Sequence, residues 1–264
     1  MAEKIALAQT TSSGKWKENL ETAWEFARKA AACQSRLLVF PEYFMTYYPL
    51  KDEDFRQQGQ SLDGKFVREM GKIARDTGLW MIFGVNEKGT ERNYNTMAVL
   101  NEKGNLAGYY RKTHLFDAYR WKESEDTMPG DEIFEPVETP AGKIGLGTCY
   151  DLRFPELARM EALKGAQILF YPSAWVKGEN KFMQWETLLR ARAIENELYV
   201  FGCCHYSKEH YMGKSLGFDP SGNLILNGGE REELLTGKIH LEEIKKIRRE
   251  NPVFLNRRTD LYRI

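Results

Sequence analysis

The sequence predicts an α/β fold with mixed sheets. Short apolar runs alternate with longer segments of helical periodicity along the whole chain, the pattern of helices laid over sheets. Two pairs of apolar runs are joined by the tight turns Asn101-Glu102-Lys103-Gly104 and Asp219-Pro220-Ser221-Gly222, and such hairpins put antiparallel neighbours among parallel ones. At 264 residues, 42% of them hydrophobic, the chain can bury a full core. No repeat, low-complexity segment or linker divides it, so residues 1–264 read as one domain.

The elements follow in order. Residues 4–9 (Lys-Ile-Ala-Leu-Ala-Gln) form a strand, and 16–32 carry Leu20, Ala23, Trp24, Ala27 and Ala31 at helical spacing. A second strand, 36–40, stops abruptly at Pro41-Glu42. Residues 43–61 form a loop rich in aromatics, Tyr43, Phe44, Tyr47 and Tyr48, and long loops in compact domains often carry function. Phe66, Val67, Met70, Ile73 and Ala74 mark a helix over 64–77. Strands follow at 79–85, 94–100 and 105–111, the last running into Arg111-Lys112-Thr113-His114. The polar stretch 116–138 reads as loop.

A strand at 143–147 enters Thr148-Cys149-Tyr150-Asp151, and Pro155, apt for a first helical position, opens a helix reaching 164. Cys149 thus sits at a sharp strand-to-helix turn, which can lift a side chain off the sheet beside backbone N–H groups. The competing reading is a small buried core thiol. Strand 167–171 runs into Pro172-Ser173-Ala174-Trp175, and helix 181–196 has Trp185, Leu188, Leu189 and Ala193 on one face. Its Arg190, Arg192 and Glu195 read as surface pairs at i, i+3 or i, i+4 spacing. Strand 198–203, a hairpin of 215–218 with 223–226, strand 234–239 and helix 242–250 complete the pattern. The tail, 251–264, has no periodicity and is expected to pack on a partner subunit.

Composition excludes several functions. Lys plus Arg and Asp plus Glu both number 38, so there is no basic footprint for nucleic acid or an anionic membrane surface. No apolar run approaches a membrane span, and residues 1–9 are too short for a signal-peptide core. The four cysteines, Cys33, Cys149, Cys203 and Cys204, match neither a disulfide framework nor a CxxC zinc pattern and imply reduced thiols in a cytoplasm. Cys203-Cys204-His205 with His210 invites a metal, but adjacent strand residues face opposite ways, so core and surface roles are expected instead. Neither a metal nor another cofactor is expected.

Glu42, Lys112 and Cys149 each follow an apolar strand, where open α/β sheets place their sites. Together they make a chemistry. A thiol, with a reference pKa of about 8.5, is mostly protonated near neutrality. A carboxylate can take its proton, and an ammonium with the Tyr150 N–H can hold the oxyanion built when sulfur attacks a carbonyl. The resulting thioester is open to water. His114 beside Lys112 suggests a Cys–His pair, but Glu42 already supplies a base, so support of the lysine strand is expected of it. Arg153, with Tyr43, Tyr48 and Trp175, suits a substrate carboxylate and its carbon chain; Arg153 equally suits a salt bridge with Glu156 or Asp151.

Three ordered motifs, Phe40-Pro41-Glu42, Tyr110-Arg111-Lys112-Thr113-His114-Leu115 and Gly147-Thr148-Cys149-Tyr150-Asp151-Leu152-Arg153-Phe154-Pro155-Glu156, resemble those of the nitrilase superfamily of carbon–nitrogen hydrolases. The resemblance covers nearly the whole chain. It implies an αββα sandwich with mixed sheets that dimerises to αββααββα, with Glu42 as base, Lys112 as oxyanion stabiliser and Cys149 as nucleophile. It also implies a second glutamate near the site, best matched by Glu123, with Glu125 two residues on. The Cys149 motif, Gln184-Trp185-Glu186 and the closing Asn251-Pro252-Val253-Phe254 are similar to the omega-amidase branch, which acts on monoamides of short dicarboxylates, and the deaminated-glutathione amidases share much of the pattern. Residues 176–183 depart from the Thr-Gly segment of omega-amidases, in a loop expected to shape the substrate pocket. Nitrile or N-carbamoyl amino acid hydrolysis and a catalytically idle binding protein are the alternatives.

Overall fold

Two mixed sheets stack face to face, with helices outside each. The computed structural model describes residues 2–46 and 53–261. The first sheet has the strand order β13(Glu233–Ile239), β1(Glu3–Gln9), β2(Leu37–Val39), β3(Trp80–Glu87), β4(Asn93–Leu100), β5(Leu106–Arg111), and β6(Thr127–Met128) adds to β4. The second has the order β12(Leu224–Asn227), β11(Leu216–Phe218), β10(Tyr199–Cys204), β9(Ile168–Ser173), β8(Gly142–Leu146), β7(Val137–Thr139). β1, β2 and β3 are parallel, as are β8, β9 and β10, while the hairpin strands pair antiparallel. Both predicted hairpins are present.

Alternation along each strand builds the layers, because successive side chains point to opposite faces. Ile5 and Leu7 face inward with Val39, Ile82 and Val99 against Ile144, Leu146, Phe170 and Phe201 of the second sheet, which makes the middle layer of the core. Ala6 and Ala8 face outward, where α1(Trp16–Ala32) and α3(Lys65–Thr77) cover the first sheet with Ala23, Ala27, Phe66, Met70 and Ile73. The second sheet turns Leu169, Tyr171 and Val200 toward α4(Pro155–Leu163) and α5(Lys181–Asn196), which answer with Ala158, Trp185, Leu189 and Ala193. This is the αββα sandwich that the motifs implied.

Some elements escaped the periodicity. A short helix, α2(Glu53–Gln57), lies inside the segment read as loop; β6 lies inside 116–138, and β7 begins at its end. Such short elements carry too few residues to show a period and are fixed by their neighbours. α6(Leu241–Glu250) buries Ile244 against the middle layer. After it, Phe254 lies between the guanidinium groups of Arg159 and Arg248, at 5.1 and 4.6 Å, so the start of the tail packs on its own chain. Arg192 corrects the sequence reading: it is 4% exposed, pairs with Glu195 at 2.9 Å and donates to the Leu152 carbonyl at 2.7 Å. Periodicity marked its spacing but not the adjoining turn, which covers that side of α5.

Candidate active site

Strand ends from both sheets meet in one cleft. Glu42 follows β2, on a turn that lies directly over Gly84 of β3; a Cβ at Gly84 would collide with the Tyr43 amide, so only glycine lets the turn approach so closely. Lys112 follows β5, and Cys149 follows β8 across the seam between the sheets. All three line the cleft with Glu123, Tyr150, Arg153 and Trp175.

Lys112 Nζ donates to Glu42 Oε1 at 2.9 Å and to Glu123 Oε2 at 2.8 Å, and all three side chains are at most 3% exposed. Burial alone pulls the ammonium down, but the Glu123 and Glu42 carboxylates outweigh it and hold Lys112 well above its ordinary value. Burial pushes the Glu123 carboxyl up. The Lys112 ammonium, with hydrogen bonds from Lys112, the Phe116 N–H and Asn95, outweighs that and holds Glu123 below the usual carboxylate range. Tyr43 Oη donates to Glu123 Oε1 at 2.9 Å. Glu42 keeps its other oxygen, Oε2, on the Ala174 N–H at 2.7 Å, a contact from the second sheet.

Cys149 has φ +48°, the left-handed region that side chains rarely adopt. The turn holds it there. Asp151 Oδ2 accepts the Thr148 N–H at 2.8 Å, and the Asp151 N–H donates back to the Thr148 carbonyl at 3.0 Å. Asp151, fully buried, also accepts from Tyr110 Oη at 2.9 Å and from the His114 N–H at 3.1 Å, and its Oδ1 lies 2.7 Å from His114 Nδ1. One carboxylate therefore ties the cysteine turn to the lysine strand, and His114, stacked on Phe154 with ring centroids 3.7 Å apart, belongs to that support. Burial and the Glu42 carboxylate push the Cys149 thiol well up, against the pull of Lys112. At rest it is a protonated thiol that shares the cleft with the Glu42 carboxylate.

The other site expectations sort by burial. Glu123 is in the cluster, whereas Glu125 is exposed and pairs with Lys122 at 3.7 Å. Arg153 pairs with neither Glu156 nor Asp151 among the described residues; its Nη2 donates to Gln184 Oε1 at 2.7 Å, and its guanidinium lies 5.2 Å from the Trp175 ring. Tyr48 falls outside the described residues. Cys203 and Cys204 are buried on opposite faces, and His205 is buried with Nε2 2.6 Å from the Glu42 carbonyl and Nδ1 2.9 Å from that of Thr10. Asn95, Asp151 and Lys181 went unread as site residues. Asn95 donates to both Glu42, at 2.7 Å, and Glu123, at 3.1 Å. Lys181 lines the cleft from the first position of α5.

The family model of the carbon-nitrogen hydrolases matches residues 4–249. The chain belongs to this family. Human deaminated glutathione amidase is 39% identical to this hydrolase, with 98% of this chain and 83% of that protein covered. Human omega-amidase NIT2 is 33% identical, with 99% and 97% covered. A solved structure of a mutant amidase from Nesterenkonia sp. shares 25% identity and a TM-score of 0.80, with 98% of this hydrolase and 95% of that chain covered; it carries the acetamide moiety of fluoroacetamide on its active-site cysteine.

Proposed function

We propose that this hydrolase cleaves a small linear carboxamide to a carboxylate and ammonia through a cysteinyl thioester, with the monoamide of a short dicarboxylate as the first substrate class. The observation that carries the reading is the Lys112 ammonium fixed between Glu42 and Glu123 in the same cleft as the Cys149 thiol. Glu42 takes the thiol proton as Sγ attacks the amide carbon. Lys112 and the Tyr150 N–H hold the oxyanion; early N–H groups of a helical turn have no acceptor within it. Collapse expels ammonia, which leaves with the proton held by Glu42. Water, deprotonated by Glu42, then releases the acid and restores the thiol. Glu123 keeps Lys112 charged and in place. Arg153 takes the substrate carboxylate and Trp175 borders the carbon chain; the missing ion pair of Arg153 supports this assignment. The cysteine adduct in the related Nesterenkonia amidase supports Cys149 as nucleophile.

Identity favours deaminated glutathione amidase over omega-amidase by 39% to 33%, so both substrate types belong in the test. The measurement is ammonia release from 2-oxoglutaramate, succinamate, glutaramate, deaminated glutathione, N-carbamoyl amino acids and one aliphatic nitrile. Turnover of the monoamides upholds the reading. Silence on every amide, with conversion of the nitrile or carbamoyl compounds, moves the chemistry to another branch.

The reading includes one catalytic domain per chain, a homodimer and the cytoplasm. Exposed Leu163 and Ile194 on α4 and α5 support a subunit contact there. The four free cysteines support a reducing compartment. Among the described residues no helix is long and apolar enough to cross a membrane.

A further inference from the structure

We infer that Lys181 is a specificity-determining residue that, together with Arg153, clamps a carboxylate at the far end of the substrate and so restricts the enzyme to anionic amides. The inference rests on the amidase reading above and adds to it a residue and a charge requirement.

The charges of the cleft are segregated. Its floor holds two carboxylates and one ammonium, all within one hydrogen-bonded cluster. Its mouth holds Arg153 and Lys181, and among the described residues neither has a carboxylate partner. The Lys181 ammonium sits 4.0 Å from the Tyr119 ring centroid, a contact with a π face rather than an anion. Burial and the neighbouring Arg153 charge pull Lys181 below its ordinary value, so the mouth pays a like-charge cost that an incoming anion would remove.

Local sequence adds to the imbalance. Lys181 opens α5, where the helix dipole already presents positive potential, and a cation is disfavoured there. The first turn of α5 contains no acidic residue to offset it, and the Asn180 side chain makes no capping bond. A lysine placed against helix preference, beside an unpaired arginine, in the cleft that holds the nucleophile, is explained by a ligand that brings negative charge. A substrate with a neutral amide for Cys149 and a carboxylate for Arg153 and Lys181 matches both ends.

The test compares succinamate with butyramide, which replaces the carboxylate by a methyl group, in the wild type, Lys181→Met and Lys181→Arg. The wild type is expected to favour succinamate in kcat/KM. Lys181→Met should shrink that preference by about tenfold to a hundredfold, the span of one hydrogen bond to a charged group, through KM for succinamate. Lys181→Arg should restore most of it. Because Lys181 is half-buried and its charge opposes the helix dipole, the methionine variant should fold. Equal kcat/KM for the two amides in the wild type, or an unchanged ratio in Lys181→Met, would overturn the clamp and leave the amidase standing. No ammonia from any amide of the wider panel would overturn the amidase reading, and the clamp with it.

Discussion

The floor and the mouth of the cleft contain similar residue types and treat them oppositely. On the floor each charge is buried and answered: Lys112 by two glutamates, Glu42 by Lys112, Asn95 and the Ala174 N–H, Glu123 by Lys112, Asn95, Tyr43 and the Phe116 N–H. At the mouth Arg153 and Lys181 are half-buried and unanswered by any carboxylate among the described residues. A saturated cluster is rigid and resists change, because losing one partner strands another in low dielectric. An unsaturated pair invites a ligand. On the reading proposed above, the chemistry belongs to the floor and selection to the mouth.

The contrast can be broken from either side. Cys149→Ala should reduce turnover by on the order of 10⁶, the scale for loss of a covalent nucleophile, with the thermal transition retained. Ammonia release and circular dichroism on one preparation check both, and surviving turnover would end the mechanism. Lys112→Met should lose about 10²–10³ in kcat from the missing oxyanion donor. It should also cost about 3–5 kcal/mol of stability, since Glu42 and Glu123 would then face each other without a cation. Urea unfolding measures the second effect, and an unshifted midpoint would refute the account of the floor.

Asp151→Asn should cost about 1–3 kcal/mol, because the amide cannot accept all the donors that converge on the carboxylate. A fall in kcat with little change in KM would mark the loosened cysteine turn. The smallest effect is at the mouth. Lys181 is pulled below the ordinary lysine value, so its charge is present on the acid side and is lost as pH rises through that lowered value. KM for succinamate should therefore climb before pH reaches the usual lysine value of about 10.4, and Lys181→Met should lack that limb.

Much of the floor was legible in the sequence because its parts sit at strand ends, and apolar runs stopping at Glu42, Lys112 and Cys149 are visible as local pattern. The αββα layering came from the ordered motifs. What was not legible depends on convergence. Asn95 and Thr96 look alike within β4 until the first meets both glutamates while the second bonds Glu87. Asp151 lies in the cysteine motif, yet its grip on Tyr110 and His114 spans the two sheets. Lys181 reads as an ordinary helix start, since nothing local reveals that its side chain borders the cleft. Arg192 shares the spacing of a surface pair and is covered only once the turn at Leu152 has folded over it.

The site is stitched across the seam. Glu42 and Lys112 come from one sheet and Cys149 from the other, and they are joined by the Ala174 N–H on Glu42, the Asp151 carboxylate on Tyr110, and the Cys203 thiol, which reaches the Val39 carbonyl at 3.3 Å. Sliding one sheet past the other by an ångström would leave every strand, helix and hairpin intact and still separate the proposed base, Glu42, from the proposed nucleophile, Cys149. Catalysis is thus a finer gauge of the docking between the layers than any measure of secondary structure, and under rising denaturant ammonia release should fade while the far-ultraviolet signal still looks native.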